Sequence, residues 1–167
     1  MKQKIFISHK KEDTKKAEEL AIYIKEEHNL EAYVDTLDDN INSTNDITDR
    51  IVNKLRDSSH MLVIFSEHTQ ESMWVPFELG VSYEREQGIG VCIWPDADDS
   101  ISLPEYLDSF PKLKENEDLI KYLDEVKKYP SYDLEEISLE ESKLTVENSL
   151  RSSNYAREFI DNLKKKL

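Results

Sequence analysis

Few side chains in this 167-residue sequence are placed to do chemistry, and the most suggestive lie in Ser72-Met-Trp-Val-Pro-Phe-Glu-Leu-Gly80. There one carboxylate, Glu78, follows an indole, Trp74, by four residues at a predicted helix start, so the two share a helical face. Ser72 suits an N-cap and Pro76 falls within the first turns. Glu78 is therefore expected beside backbone N–H groups and a positive dipole end that favour its ionised form. The same spacing also fits an ordinary amphipathic helix with its indole in the core and its acid in water. Three further clusters carry polar chemistry: Ser8-His-Lys-Lys-Glu-Asp13 after a short apolar run, Asp35 at the end of another, and Ser66-Glu67 after a third.

Composition narrows the classes. With 36 acidic against 22 basic residues the formal net charge is -14, a field that repels phosphate backbones and anionic membranes, so neither nucleic acid nor membrane is expected as a partner. Cys92 is the single cysteine and sits in an apolar run, which excludes an internal disulfide and suggests a buried thiol in a reducing compartment. His9, His28, His60 and His68 show no metal-ligand spacing, and no metal or bound cofactor is expected. Gly80, Gly88 and Gly90 are the only glycines, too few for a Gly-rich phosphate loop of either common type. No stretch is long and apolar enough for a signal or a membrane span, and a cytoplasmic location is expected.

The elements that must hold those clusters alternate. Lys4-Ile-Phe-Ile7 reads as a strand, and Ala17, Leu20, Ala21 and Ile24 mark a helix from Thr14. Leu30 to Asp35 is a second strand, and Thr36 to Asp46 a polar loop of the length that often carries function. Ile47, Ile51, Val52 and Leu55 give a second helix, and Met61-Leu-Val-Ile-Phe65 a strand buried on both faces. The Trp74 helix runs to about Gln87, and Gly90 to Trp94 is a fourth strand. Beyond Pro95 come an acidic turn (Asp96, Asp98, Asp99), a helical turn at Leu103–Leu107, and a helix from Glu117 to Lys128 with Leu119, Ile120, Leu123 and Val126 on one face. Tyr129-Pro130 ends it. An acidic, weakly patterned stretch leads to a last amphipathic helix, Tyr155 to Leu163, followed by three lysines suited to its C-terminal dipole. The division expected is a domain over 1–128 and an acidic, helical extension over 129–167.

Alternating strands and helices imply a doubly wound α/β fold with a parallel sheet and right-handed crossovers. In such sheets ligands bind outside the carboxyl ends of the strands, where strand order reverses. Ser8, His9, Lys10, Lys11, Asp35, Ser66, Glu67, Trp74 and Glu78 are thus expected to rim one cleft.

Taken together these phrases resemble the Toll/interleukin-1 receptor (TIR) domains, and in particular their bacterial NAD-consuming branch. Ile5-Phe-Ile-Ser-His-Lys-Lys-Glu-Asp13 is similar to the family's first box and Tyr33-Val-Asp35 to its second strand. Ile51 through Leu55, Arg56 and Ser58 to Leu62-Val-Ile-Phe-Ser66 is similar to its second helix and third strand. Trp74-Val-Pro-Phe-Glu-Leu79 is similar to the Trp-x-x-x-Glu that carries the catalytic glutamate of its NADase members. The resemblance implies a flavodoxin-like sheet of order 2-1-3-4-5 and cleavage of the nicotinamide–ribose bond of NAD, with NAD as substrate. The loop from Thr36 to Asp46 departs from the family pattern, lacking its usual glycine or proline.

On that implication Glu78 is the catalytic glutamate, while Phe6, Ser8, Lys10, Lys11, Asp35 and Trp74 are substrate-binding candidates. Each keeps a plainer alternative: Phe6 as core, Ser8 as a cap, the lysines as solvated loop charges, Asp35 as a turn former, Trp74 as a structural indole, His9 as a residue with a structural partner. Members of the family self-associate, and stand-alone TIR proteins resemble the messenger-making component of Thoeris anti-phage defence, which addresses a separate effector through a product derived from ADP-ribose. A non-catalytic adaptor acting by homotypic assembly is the alternative; a nucleoside deoxyribosyltransferase shares the sheet type and a glutamate nucleophile.

Overall fold

The computed structural model describes residues 3–35, 44–85, 87–93, 103–128 and 156–167. In chain order these form β1 (Lys4–Ser8), α1 (Thr14–His28), β2 (Glu31–Val34), α2 (Thr44–Arg56), β3 (His60–Phe65), α3 (Trp74–Glu84), β4 (Gly88–Ile93), β5 (Lys112–Leu113) and α4 (Asn116–Lys128). A last helix, α5, covers 156–164. Every paired strand is parallel and the order is β2-β1-β3-β4-β5, the doubly wound sheet expected. Order reverses at β1, so the crevice beyond its carboxyl end is the site that this topology offers a ligand.

Period-two alternation divides the core between the two faces of the sheet. Ile5 and Ile7 of β1 and Leu62 and Ile64 of β3 face a layer made by α1, α4 and α5, which contribute Leu20, Ile24, Tyr122, Leu123, Phe159 and Leu163. Met61, Val63 and Phe65 face the other way, onto Val75 and Leu79 of α3. Phe6 meets Ile51 and Leu55 of α2, with Trp74 packed alongside. All six residues of β3 are buried, because a central parallel strand is covered on both sides. α1 closes on Asn29 in the left-handed conformation (φ 54°), where a non-glycine residue is best tolerated as Asn; this turns buried Leu30 back toward the sheet.

Several boundaries differ from expectation. α2 begins at Thr44, three residues before its first apolar marker, and the remainder of the predicted loop, 36–43, lies outside the described residues. α3 stops at Glu84 and β4 starts at Gly88, so Gln87 belongs to neither. Its buried amide donates to the carbonyls of Leu55 (2.7 Å) and Ser58 at the end of α2, a place where helices leave acceptors unsatisfied. The two-residue strand β5 was not visible in the residue pattern. On α4 Tyr122, Leu123 and Val126 are buried and Leu119 is partly so, leaving Ile120 at 40% exposure, since only i, i+3, i+4 and i+7 share a face. The acidic turn at 96–99, Trp94, and the stretch 129–155 are outside the described residues.

Gly88 and Gly90 have a packing role. A Cβ on Gly88 would stand 2.5 Å from the His60 ring, and one on Gly90 2.7 Å from the Tyr122 ring, so absent side chains on β4 make room for large ones on its neighbours. His60 is wholly buried, packs its ring at 5.2 Å and a 57° tilt against Phe159, and contacts the Ser59 hydroxyl at 2.8 Å. Burial pushes its pKa down from 6.5 to about 3.

The unfolded chain takes up a proton on this imidazole near pH 6.5 that the folded chain refuses until about 3. The stability that neutral His60 contributes is therefore complete above pH 6.5 and drains as pH falls, by up to about 1.4 kcal/mol per pH unit. Because Glu78 titrates in the opposite sense in both proteins, the effect is read as a difference: urea titrations from pH 7.5 to 5 are expected to show the native midpoint falling relative to that of His60→Gln, which cannot titrate at this position.

Candidate active site

The site begins with alternation on β1. Ser8 falls on the same face as Phe6, toward α2 and α3, whereas Ile7 faces α1. The Ser8 hydroxyl donates to Glu78 Oε2 in a buried hydrogen bond spanning 70 residues of sequence. Glu78 is reached from α3, whose start is set as the sequence suggests. Ser72 has an extended backbone and its Oγ accepts from the Val75 N–H at 3.2 Å, the bond of a helix N-cap.

Around this contact opens a cavity of about 120 Å³, several times the ~10–15 Å³ that one water needs, so it admits an organic group. Its walls include Ser8, His9, Lys10, Lys11, Asp35, Trp74 and Glu78. Glu78 and Trp74 do share a helix face, and the indole, half-buried, meets the Phe77 ring edge-on at 5.8 Å. Ile7, Ile51, Ser72 and Met73 also line the cavity. Met73 is 85% exposed at its rim.

Three expectations are corrected. Phe6 has no exposed surface and lies in the core with Ile51 and Leu55, not among the cavity's walls. Ser66 and Glu67 do not line it either. Ser66 lies one residue beyond Phe65, on the α1 side of the sheet, where its Oγ donates to buried Asp13 at 2.5 Å, and Glu67 is exposed. The third concerns Glu78. Burial raises its pKa from 4.5 to about 8, against the opposing hydrogen bond from Ser8 and with a further push from the charge on Asp35. The acid holds its proton at neutral pH. It lies beyond the first turn, where the dipole's influence has faded, and desolvation decides.

The loop bearing the lysines is held from behind. A 3-10 turn at Lys11–Asp13 closes with the Asp13 N–H on the Lys10 carbonyl at 2.8 Å, and Asp13 is tied by Ser66 to the end of β3. Ser66 N–H in turn bonds Thr69 Oγ1 (3.1 Å), whose hydroxyl donates to the Ile64 carbonyl (3.1 Å). Sequence reasoning noted Asp13 and Ser66 but missed the latch. His9 has structural partners: Nδ1 lies 3.3 Å from the Ile7 carbonyl and Nε2 3.2 Å from Thr14 Oγ1. Burial lowers its pKa. Asp35 is neither solvated nor a lone turn former. Arg50 Nη2 lies 3.4 Å from Oδ1 and the Tyr33 hydroxyl donates to the same oxygen at 3.1 Å.

Chemically this is a buried carboxylic acid, one hydroxyl donor, a second carboxylate held by a guanidinium, an indole wall and two lysines at the entrance. Among the described residues no group of three or more His, Cys, Asp or Glu could hold a metal ion, and no helix is long and apolar enough to cross a membrane.

Because the folded state resists ionising Glu78, the protein loses stability as pH rises from 4.5 to about 8, amounting at pH 7 to about 3 kcal/mol. Glu78→Gln retains an oxygen for Ser8 and cannot ionise. It is expected to melt several degrees higher than the native chain at pH 8 and at the same temperature below pH 4.5, as differential scanning calorimetry would show.

Compared with known proteins, residues 5–128 match a family model described as TIR domain. A similar solved structure is the TIR domain of the Toll-related receptor TRR-2 from Hydra magnipapillata. It is 14% identical, with a TM-score of 0.55 over 71% of this chain and 90% of that one, a likeness of fold. A search of curated proteins returned no match.

Proposed function

The chain belongs to the TIR domain family, and from that premise we propose that it is an NAD-cleaving enzyme whose catalytic carboxylate is Glu78. The observation that carries the reading is the buried Ser8–Glu78 bond at the foot of a cleft walled by Trp74. It joins two motifs at the carboxyl end of β1, the position at which doubly wound sheets bind ligands.

The reaction breaks the bond between the nicotinamide nitrogen and ribose C1′. The electron pair leaves with the ring, so the pyridinium departs neutral and needs no proton. The sugar passes through an oxocarbenium-like state that an ionised carboxylate stabilises, as in glycoside hydrolysis. Water addition yields ADP-ribose and one proton; attack by a nucleophile of the same molecule yields a cyclic isomer. Glu78 acts once deprotonated, and the substrate's own positive charge, brought into a buried site, favours that state. Trp74 flanks the ring, Asp35 accepts from ribose hydroxyls, and Lys10 and Lys11 meet the pyrophosphate. The product serves as a signal to a separate effector, in the manner of anti-phage defence in the cytoplasm, with self-association of the chain assembling the site.

A second reading, a non-catalytic adaptor, finds support at α3, where Met73 just before the helix and Phe77 and Tyr83 on it are 85%, 38% and 60% exposed. Apolar surface of this kind suits homotypic docking. Chromatography of NAD incubated with the protein separates the two readings. The enzyme releases nicotinamide, with kcat/KM rising as pH climbs toward about 8, because the free enzyme's acid must ionise. Glu78→Gln is expected to lose about 10²-fold or more. An adaptor leaves NAD intact at every pH and protein concentration.

A further inference from the structure

The most elaborate polar arrangement near Glu78 is one that no cleft-lining role explains. Asp35 closes β2 with its side chain only 7% exposed. Arg50, one-third exposed on α2, reaches it from outside the cleft at 3.4 Å, and the Tyr33 phenol is hydrogen-bonded to both partners. Tyr33 is fixed in turn by the Phe6 ring at 5.7 Å and by the Lys54 ammonium 5.0 Å above its face. The far end of α2 is pinned by the Gln87 amide. A partly buried carboxylate with this much support is held in one position.

We propose that Arg50 is a positioning residue: by holding and compensating the Asp35 carboxylate it sets how much negative charge faces Glu78 across the cleft. The inference rests on the NADase reading for its consequence, though not for its physics. Among the described residues the charged and titratable groups around Glu78 are few. β1 supplies the Ser8 hydroxyl, the following loop His9, Lys10 and Lys11, the end of β2 Asp35, and α2 Arg50 behind Asp35; the first turn of α3 holds no acid. Of these, Asp35 is the charge that opposes ionisation of Glu78. Without the guanidinium the same carboxylate would face Glu78 uncompensated and free to swing toward it, and the neutral acid would be favoured further. Arg50 acts through Asp35, touching neither substrate nor the reacting atoms.

The test follows the Glu78 side chain by carbon NMR in the 167-residue chain labelled at glutamate Cδ, its signal assigned by its loss in Glu78→Gln. Arg50→Gln is expected to move the titration upward by about half a pH unit or more, and Arg50→Lys, which keeps the charge, to recover most of that shift. Asp35→Asn moves it down. The double variant Arg50→Gln/Asp35→Asn should titrate like Asp35→Asn alone. The proposal is overturned if Arg50→Gln leaves the titration in place, or if its upward shift persists once Asp35 is gone. An Arg50→Gln chain that does not fold leaves Arg50→Lys and Asp35→Asn to decide, the latter overturning it by failing to move Glu78 down. Failure of the NADase reading is separate: the native chain then cleaves no NAD at any pH, while the carboxyl titration still answers for Arg50.

Discussion

A hydroxyl and a carboxyl buried against each other, Ser8 on β1 and Glu78 on α3, constrain the rest of the site. Burying an acid is tolerable when it keeps its proton and has a partner, and Ser8 is that partner. The contact requires β1 to end with the right residue on the right face and α3 to begin close enough for its second turn to overhang the strand. The Ser72 cap and the core beneath Trp74 supply the latter.

The same alternation explains why the polar ends of two neighbouring strands do different work. Ser8 and Ser66 each close a central strand, yet one points toward α3 and the cleft, the other toward α1 and Asp13. The second makes a latch of Asp13, Ser66 and Thr69 that holds the lysine-bearing loop over the first. Two serines alike in sequence context are thus divided between the cleft and the scaffold by the face on which they fall.

Two buried titratable groups pull stability in opposite directions. His60, buried at the start of β3, makes the fold firmer above pH 6.5, whereas Glu78 weakens it as pH rises from 4.5 toward about 8. His60 serves packing: β4 lacks a side chain opposite it so that the ring and Phe159 fit. Glu78 has no such excuse. It is a cleft-lining acid whose burial costs the fold stability as pH rises, and strongly shifted acids of this kind cluster at functional sites in proteins generally.

Much was legible in residue order. Apolar runs, helical periodicity and cap residues marked all the elements save β5, and the rule that ligands gather at strand carboxyl ends brought Ser8, Lys10, Lys11, Asp35, Trp74 and Glu78 to one place, where they do line one cavity. These are local or nearly local properties, set by side-chain type and spacing, so one dimension suffices to read them. Three things needed the third: that Phe6 is wholly covered, that Arg50 stands behind Asp35, and that Glu78 keeps its proton. Each depends on groups distant in sequence excluding water from a shared volume, and desolvation is a property of that enclosure, which no spacing along the chain records.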